Sequence, residues 1–281
     1  MTINRRNFLK ATGMSLGGLF LLKLDVKQSS DPNIAVGMLY DATICVGCRA
    51  CQTACKKVHN LPPELDTSGL HEAPRDLSGK TWTLIELYKS TETGGQSSFV
   101  KKQCMHCFDP ACVSVCPVGA LQKLDSGPVI YDDKKCIGCR YCMAACPYNI
   151  PKYQWEKALP LIQKCNFCAD RLEQGLKPAC AEACPTGSLI FGKRSDLIAE
   201  AEQRIQKEPD RYVNHVYGKD EVGGASMLYL AAVPFEKLGF PTLDGNSLPE
   251  ITKPYLESVP WQIGLVGSLM VGTYLWTHRK G

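Results

Sequence analysis

The chain has 281 residues, a formal net charge of +4, 44% apolar and 21% charged residues, and 16 cysteines. So mild a charge, with no basic stripe interleaved with aromatics, argues against a nucleic-acid partner, and the apolar share excludes a disordered chain. The length allows one large domain or two of ordinary size and needs no disulfide staples, so the cysteines require another explanation.

The first element reads as an address. Arg5 and Arg6 stand before Phe8-Leu9-Lys10, and the weakly apolar stretch from Ala11 to Leu22 follows. That order predicts a twin-arginine export signal, read by a translocase for folded proteins, with an ordinary basic N-terminus as the alternative. No A-x-A site follows in LKLDVKQSSD, so cleavage is not expected.

Four sets of four cysteines come next. The first is CVGCRACQTAC (Cys45, Cys48, Cys51, Cys55), and the second is CMHCFDPACVSVCP (Cys104, Cys107, Cys112, Cys116). The third is CIGCRYCMAACP (Cys136, Cys139, Cys142, Cys146), and the fourth is CNFCADRLEQGLKPACAEACP (Cys165, Cys168, Cys180, Cys184). The first and third share C-x-G-C-R-x-C-x-x-A-C. The second and fourth share P-A-C-x-x-x-C-P-x-G-[AS]-L, at Pro110 to Leu121 and Pro178 to Leu189. The chain is therefore a duplicated unit.

The third set matches the bacterial ferredoxin run C-x2-C-x2-C-x3-C-P, whose fourth cysteine serves the other cluster of a pair. Three cysteines on a tight loop wrap one face of a cubane, with backbone N–H groups turned toward its sulfurs. Gly47 and Gly138 ease that turn, and Pro117, Pro147 and Pro185 fix the backbone just past the last cysteine. Cys55 is followed instead by Lys56, so a different turn is expected there. Disulfides and zinc are the rivals. Neither needs C-x3-C-P, and C-x-x-C pairs are poor staples for distant segments, so iron–sulfur is the reading. Clusters are inserted in a reducing compartment, which explains a translocase for folded proteins. His106 is not needed as a ligand and is expected to hydrogen-bond or pack near a sulfur. Lys101, Lys102, Lys134, Lys135, Arg140, Lys164 and Arg171 flank the motifs. They could tune the clusters, but solvated surface is expected for most.

Between Cys55 and Cys104 lies an insertion in which TWTLIELY (Thr81 to Tyr88) has strand character, as do PVIY (Pro128 to Tyr131) and SLIF (Ser188 to Phe191). Ser195 to Lys207 reads as a helix with Ser195 as N-cap and an apolar stripe of Leu197, Ile198, Ala201 and Ile205. Ser226 to Val233 suits a strand, and residues 234–258 suit a loose, proline-rich connector. The run from Val259 to Thr277 has 19 residues without a charge. As a helix it would cover ~28 Å, near the ~30 Å of a bilayer core. Trp261, Tyr274 and Trp276 stand at its ends, and Arg279 and Lys280 follow. Gly264, Ser268 and Gly272 form a small-residue face for another membrane helix, with a buried core helix as the alternative.

No catalytic motif stands out. SGKT at Ser78 to Thr81 has Pro74 where a P-loop needs its first glycine, and HEAPR at His71 is no zinc-protease motif.

The four sets, in this order and with the eleven-residue gap in the last, resemble the four-cluster electron-transfer subunits of molybdopterin oxidoreductase and hydrogenase complexes, over residues 36–240. NRRNF, GMLYDATICVGCRAC, KKQCMHC, CVSVCPVGAL and GCRYCMAACPYNIPKY look like the subunits serving hydrogenase-2 type nickel–iron hydrogenases. Formate dehydrogenase beta subunits are the near rival, through DLSGKTWT and PACAEACPTGSLIFG. The resemblance implies an α+β fold of duplicated bacterial-ferredoxin-like modules with insertions, plus a C-terminal transmembrane helix. It divides the chain into a signal region at 1–30, a four-cluster domain at 31–195, an extension and connector at 196–254 and an anchor at 255–281. It implies four [4Fe–4S] clusters, no catalytic residue, and all 16 cysteines as ligands. Cys45, Cys48 and Cys51 would take Cys184, and Cys165, Cys168 and Cys180 would take Cys55. Cys104, Cys107 and Cys112 would take Cys146, and Cys136, Cys139 and Cys142 would take Cys116. The repeat by itself equally permits pairing the first set with the second and the third with the fourth. The implied partners are the hydrogenase subunits or a molybdopterin catalytic subunit, an integral quinone-reactive subunit and the lipid bilayer. The implied place is the periplasmic side of the inner membrane.

Overall fold

The computed structural model describes residues 34–278 except 66–68, 70, 71, 74, 95 and 159. The export signal at 1–30, the basic pair at 279–280, His71 and Pro74 lie outside the described residues.

Along the chain come β1 (Val36–Asp41), α1 (Ala50–Val58), β2 (Leu84–Tyr88), β3 (Ser98–Lys102) and α2 (Ala111–Ser114). Then follow β4 (Leu121–Lys123), β5 (Val129–Tyr131), α3 (Tyr141–Ala145), β6 (Lys152–Tyr153), β7 (Ile162–Gln163) and α4 (Ala169–Glu173). The last are α5 (Ala179–Glu182), β8 (Leu189–Lys193), α6 (Arg194–Lys207), β9 (Met227–Leu230) and α7 (Leu248–His278). Helices and strands are mixed, as expected of an α+β chain. The described residues up to Pro249 gather into one compact unit, and those from Glu250 fall in a second.

The first unit is organised around β1, which runs antiparallel to β8 and parallel to β9. Met38 stands opposite both Phe191 and Met227. A central strand covered on both faces has no polar side to show, so VGMLYD is buried almost throughout. On one face Leu39 packs with Leu197, Ala201 and Ile205 of α6. On the other, Met38 and Tyr40 join the larger core with Leu84, Ile85, Phe167 and Tyr229. Asp41 ends the strand with 1% exposure, a position a carboxylate holds only when fully bonded. It accepts from Tyr212 Oη at 2.8 Å and from Arg204 at 3.0 Å, which ties β1 to α6 and the segment after it.

The strands expected near 81–88, 128–131, 188–191 and 226–233 form β2, β5, β8 and β9. The stripe of α6 is buried as expected, but its cap is not Ser195. The helix begins at Arg194 after an extended Lys193, and the Ser195 hydroxyl turns to Asp196 at 3.1 Å. The Arg194 guanidinium holds the start instead, donating to Ala225 O and Lys219 O at 2.7 Å each.

Lys56 also explains the insertion. With no proline after Cys55, α1 runs on to Val58. Lys56 Nζ then donates to Pro62 O (2.9 Å), Lys80 O (2.8 Å) and Thr81 Oγ1 (3.0 Å) and pairs with Glu64 at 2.9 Å. One buried ammonium thus ties Pro62 and Glu64 to Lys80 and Thr81 within the insertion.

The C-terminal expectation needs correction twice. The connector at 234–258 is helical from Leu248, with Pro254 and Pro260 inside the helix. The transmembrane helix is not found: among the described residues, no helix is long and apolar enough to cross a membrane. Length is not lacking at 31 residues; Gln262, three glycines and several hydroxyl side chains dilute the hydropathy. Ser268 and Thr277 turn their hydroxyls back onto the carbonyls of Gly264 and Thr273, 2.8 and 2.9 Å away. Trp261, Ile263, Leu265, Leu269 and Trp276 remain exposed.

Leu39→Ala empties a fully buried position between β1 and α6. It is expected to cost about 2–5 kcal/mol, read as a lower urea midpoint by circular dichroism. An unchanged midpoint would mean that the sheet–helix seam is not part of the core.

Candidate metal centres

Each cysteine loop turns in the same way. The residue before the second cysteine of C-x-x-C has a positive φ in all four sets: Gly47 at 67°, His106 at 51°, Gly138 at 70° and Phe167 at 62°. The left-handed residue brings N–H groups inward. Gly138 N–H donates to Cys136 Sγ at 3.4 Å, and Phe167 N–H to Cys165 Sγ at 3.3 Å. Glycine meets the demand without strain, and at Gly47 a Cβ would run into the Phe99 ring. His106 and Phe167 meet it with rings packed edge to face, centroids 4.7 Å apart.

The later cysteines of each set ride on short helices. Cys51 and Cys55 lie on α1; Cys112, Cys142 and Cys180 lie on α2, α3 and α5, with Cys116, Cys146 and Cys184 just past their ends. Pro117, Pro147 and Pro185 follow and stop those three helices. Helix α1 packs on α5, and α2 on α3. The first set therefore faces the fourth and the second faces the third, rather than the first pairing with the second and the third with the fourth.

Four groups of thiols result. In site I, Cys45, Cys48, Cys51 and Cys184 line one cavity. In site II, Cys55, Cys165, Cys168 and Cys180 line another. In site III, burial pushes the pKa of Cys107 up, and Cys104, Cys112 and Cys146 add to it. In site IV, Cys116, Cys136, Cys139 and Cys142 line a further cavity. All 16 cysteines are unbridged. Among the described residues, no group of three or more His, Cys, Asp or Glu is close enough to hold one metal ion. Thiols that ring a cavity rather than meet at a point suit a core of several irons and not a single zinc.

The sites form a row. Cys51 of site I and Cys55 of site II are one turn apart on α1. Cys165 of site II has its thiol raised by burial first, then by Cys55 and by Cys104 of site III. Cys112 of site III, pushed up to about 12 chiefly by burial, also feels Cys142 of site IV. Site II is buried throughout, whereas Cys48 in site I and Cys139 in site IV are exposed. Val46 and Ile137 beside them are 60% and 65% exposed, so the row reaches the surface at its two ends.

Burial opposes thiolates, and the surroundings answer it. Cys55 is pushed up to about 12 and Cys51 to about 11, burial being the largest cause in both. Iron binding must expel those protons. At Cys184 burial also works upward, but bonds from Ser188, the Leu189 N–H and Thr186 outweigh it and lower the thiol's pKa. Ala120 N–H donates to Cys116 Sγ at 3.2 Å.

The flanking cations divide. Lys134, Lys135 and Arg140 are exposed, as expected, but Lys101 and Lys164 are 0% and 4% exposed. Lys164 Nζ donates to Val129 O at 2.5 Å and Cys165 O at 2.9 Å. His106 both bonds and packs: Val129 N–H donates to its Nδ1 at 2.9 Å. The ring proton must then sit on Nε2, which is buried without a partner in the protein. Sequence reasoning missed His59, whose Nε2 lies 3.4 Å from Cys168 Sγ and whose ring packs on Trp82. Its place four residues after Cys55, one turn along the same face, was the available signal.

Comparison with known proteins agrees with this geometry. Two models of a 4Fe-4S dicluster domain match residues 37–117 and 96–194. The hydrogenase-2 operon protein HybA of Escherichia coli O157:H7 is 40% identical over 284 residues, covering 87% of this chain and 86% of that one. The iron–sulfur subunit of the nitrate-inducible formate dehydrogenase of Escherichia coli K12 is 38% identical over 208 residues, 72% of this chain and 70% of that one. A protein of Nitratidesulfovibrio vulgaris is 43% identical over 249 residues, 87% of this chain and 67% of its own length. With four [4Fe–4S] clusters, the chain belongs to the family of iron–sulfur subunits that transfer electrons in hydrogenase and formate dehydrogenase complexes, and it is not the catalytic subunit.

Proposed function

We propose that this chain relays electrons between a nickel–iron hydrogenase and a quinone-reactive membrane subunit, on the periplasmic side of the inner membrane. Its 16 cysteines are the ligands, grouped as sites I to IV. The observation that carries this reading is the row of thiol groups with an exposed cysteine at each end, Cys48 and Cys139. A row open at both ends lets one partner deliver an electron and another remove it.

When bound, each cluster supplies a centre that accepts and returns one electron. The protein's own part is to hold the thiols, turn N–H groups to the sulfurs, and keep water from the inner sites. Export of the folded, loaded chain by the twin-arginine route follows from Arg5 and Arg6. The apolar side chains exposed along α7 are assigned to contact with the membrane part of the complex. Hydrogenase is favoured over formate dehydrogenase because likeness to the hydrogenase-2 operon protein extends over 87% of this chain, against 72% for the formate dehydrogenase subunit. A signal on the chain itself favours it too, since a beta subunit can leave on its catalytic partner's signal. A formate dehydrogenase beta subunit is the second reading.

Four measurements check the proposal. The anaerobically purified chain is expected to hold about 16 irons and as much acid-labile sulfide. Cys184→Ser should disturb the cluster of Cys45, Cys48 and Cys51, leaving the other three cluster signals in place; loss of the Cys165 cluster instead would reverse the pairing. In the native complex, hydrogen should bleach the broad iron–sulfur absorbance and formate should not, whereas bleaching by formate alone would transfer the chain to the second reading. Truncation after Leu256 is expected to move the chain from the membrane to the soluble fraction, and retention would place the contact elsewhere.

A further inference from the structure

A buried ammonium is costly, and Lys101 is one of the largest fully buried side chains in the protein, at 0% exposure. Its Nζ is held by Thr83 Oγ1 and Gln103 Oε1, both uncharged. Those two partners line the cavity of site II, while Lys101 itself lines the cavity of site I. The head group therefore stands in the wall between two adjacent thiol groups. Burial works against its charge, but Cys180, Cys51, Cys165 and Cys55 outweigh that and raise its pKa. These four thiols come from both sites.

We propose that Lys101 is the shared positive charge of the clusters in sites I and II, and that it raises the reduction potentials of this pair together. The inference rests on the cluster assignment proposed above. Reduction adds one electron to a cluster and no proton; the fixed ammonium, already in place, offsets the added negative charge. The reduced form gains more from that charge than the oxidised form, so the potential rises. Lys101 acts across the wall on the cluster and is a positioning residue for charge, not a ligand. The second half of the repeat does not copy the arrangement, because the position equivalent to Lys101, three before the first cysteine, is Ile162 in the fourth set. The effect is thus specific to one pair.

The test is a redox titration of the full chain followed by electron paramagnetic resonance, comparing Lys101→Met, Lys101→Arg and the unsubstituted protein. In Lys101→Met, two of the four clusters should become at least tenfold harder to reduce, a fall of about 59 mV in each midpoint. The other two should stay in place, and Lys101→Arg should restore most of the shift. If Lys101→Met does not fold, Lys101→Gln keeps a hydrogen-bonding head without the charge and should show the same two shifts. Unchanged midpoints in either neutral variant, an equal shift in all four clusters, or a shift in Lys101→Arg as large as in the neutral variant would overturn the proposal. Fewer than four clusters in the unsubstituted protein would overturn the cluster assignment instead.

Discussion

A thiol binds iron as an anion, and an anion taken out of water costs several kcal/mol unless charge or hydrogen-bond donors reach it. Most of these thiols are buried or half-buried, and much of the structure serves that requirement. Each C-x-x-C turn holds a left-handed residue, which at Gly138 and Phe167 aims its N–H at sulfur, short helices carry later thiols, and Lys101 and Lys164 give up hydration to stay nearby. The sheet around β1 is what lets the chain afford this, because its two faces bury enough apolar surface to hold the loops still.

The chemistry was legible in the cysteine spacing, because ligand geometry leaves so few ways to arrange four thiols around a cubane. Gly47 and Gly138 announced the tight turn, although His106 and Phe167 show that glycine is not essential to it. Pairing between sets was not legible, since both repeats offer equally good partners and only the packing of α1 on α5 and α2 on α3 distinguishes them. Strand β1 escaped notice because a strand covered on both faces has no alternation to detect. The burial of Lys101 escaped for a related reason: flanking charge normally means solvent, and what overrides that rule here is a set of thiols, one of them brought in from 79 positions away at Cys180.

Duplication explains the regularity and divergence explains the asymmetry. Both halves use the same turn, and each packed pair of helices takes one helix from each half, yet sites I and II share Lys101, while sites III and IV meet Ile162 at the equivalent place. The replacement of the usual proline by Lys56 adds the clasped insertion to one half alone. A row built from two like units thus acquires unlike halves.

The crossed pairing of α1 with α5 also sets a schedule. The thiols of sites III and IV all lie between Cys104 and Cys146, so that inner segment carries its full complement as soon as it is made. Site I waits for Cys184 and site II for Cys180, and β1 waits longer still for β8 and β9. A growing chain therefore leaves its earliest cysteines without their partners until Cys180 and Cys184 are made. Iron delivery to the first set must come late, or a carrier must guard those thiols until the far end of the domain arrives.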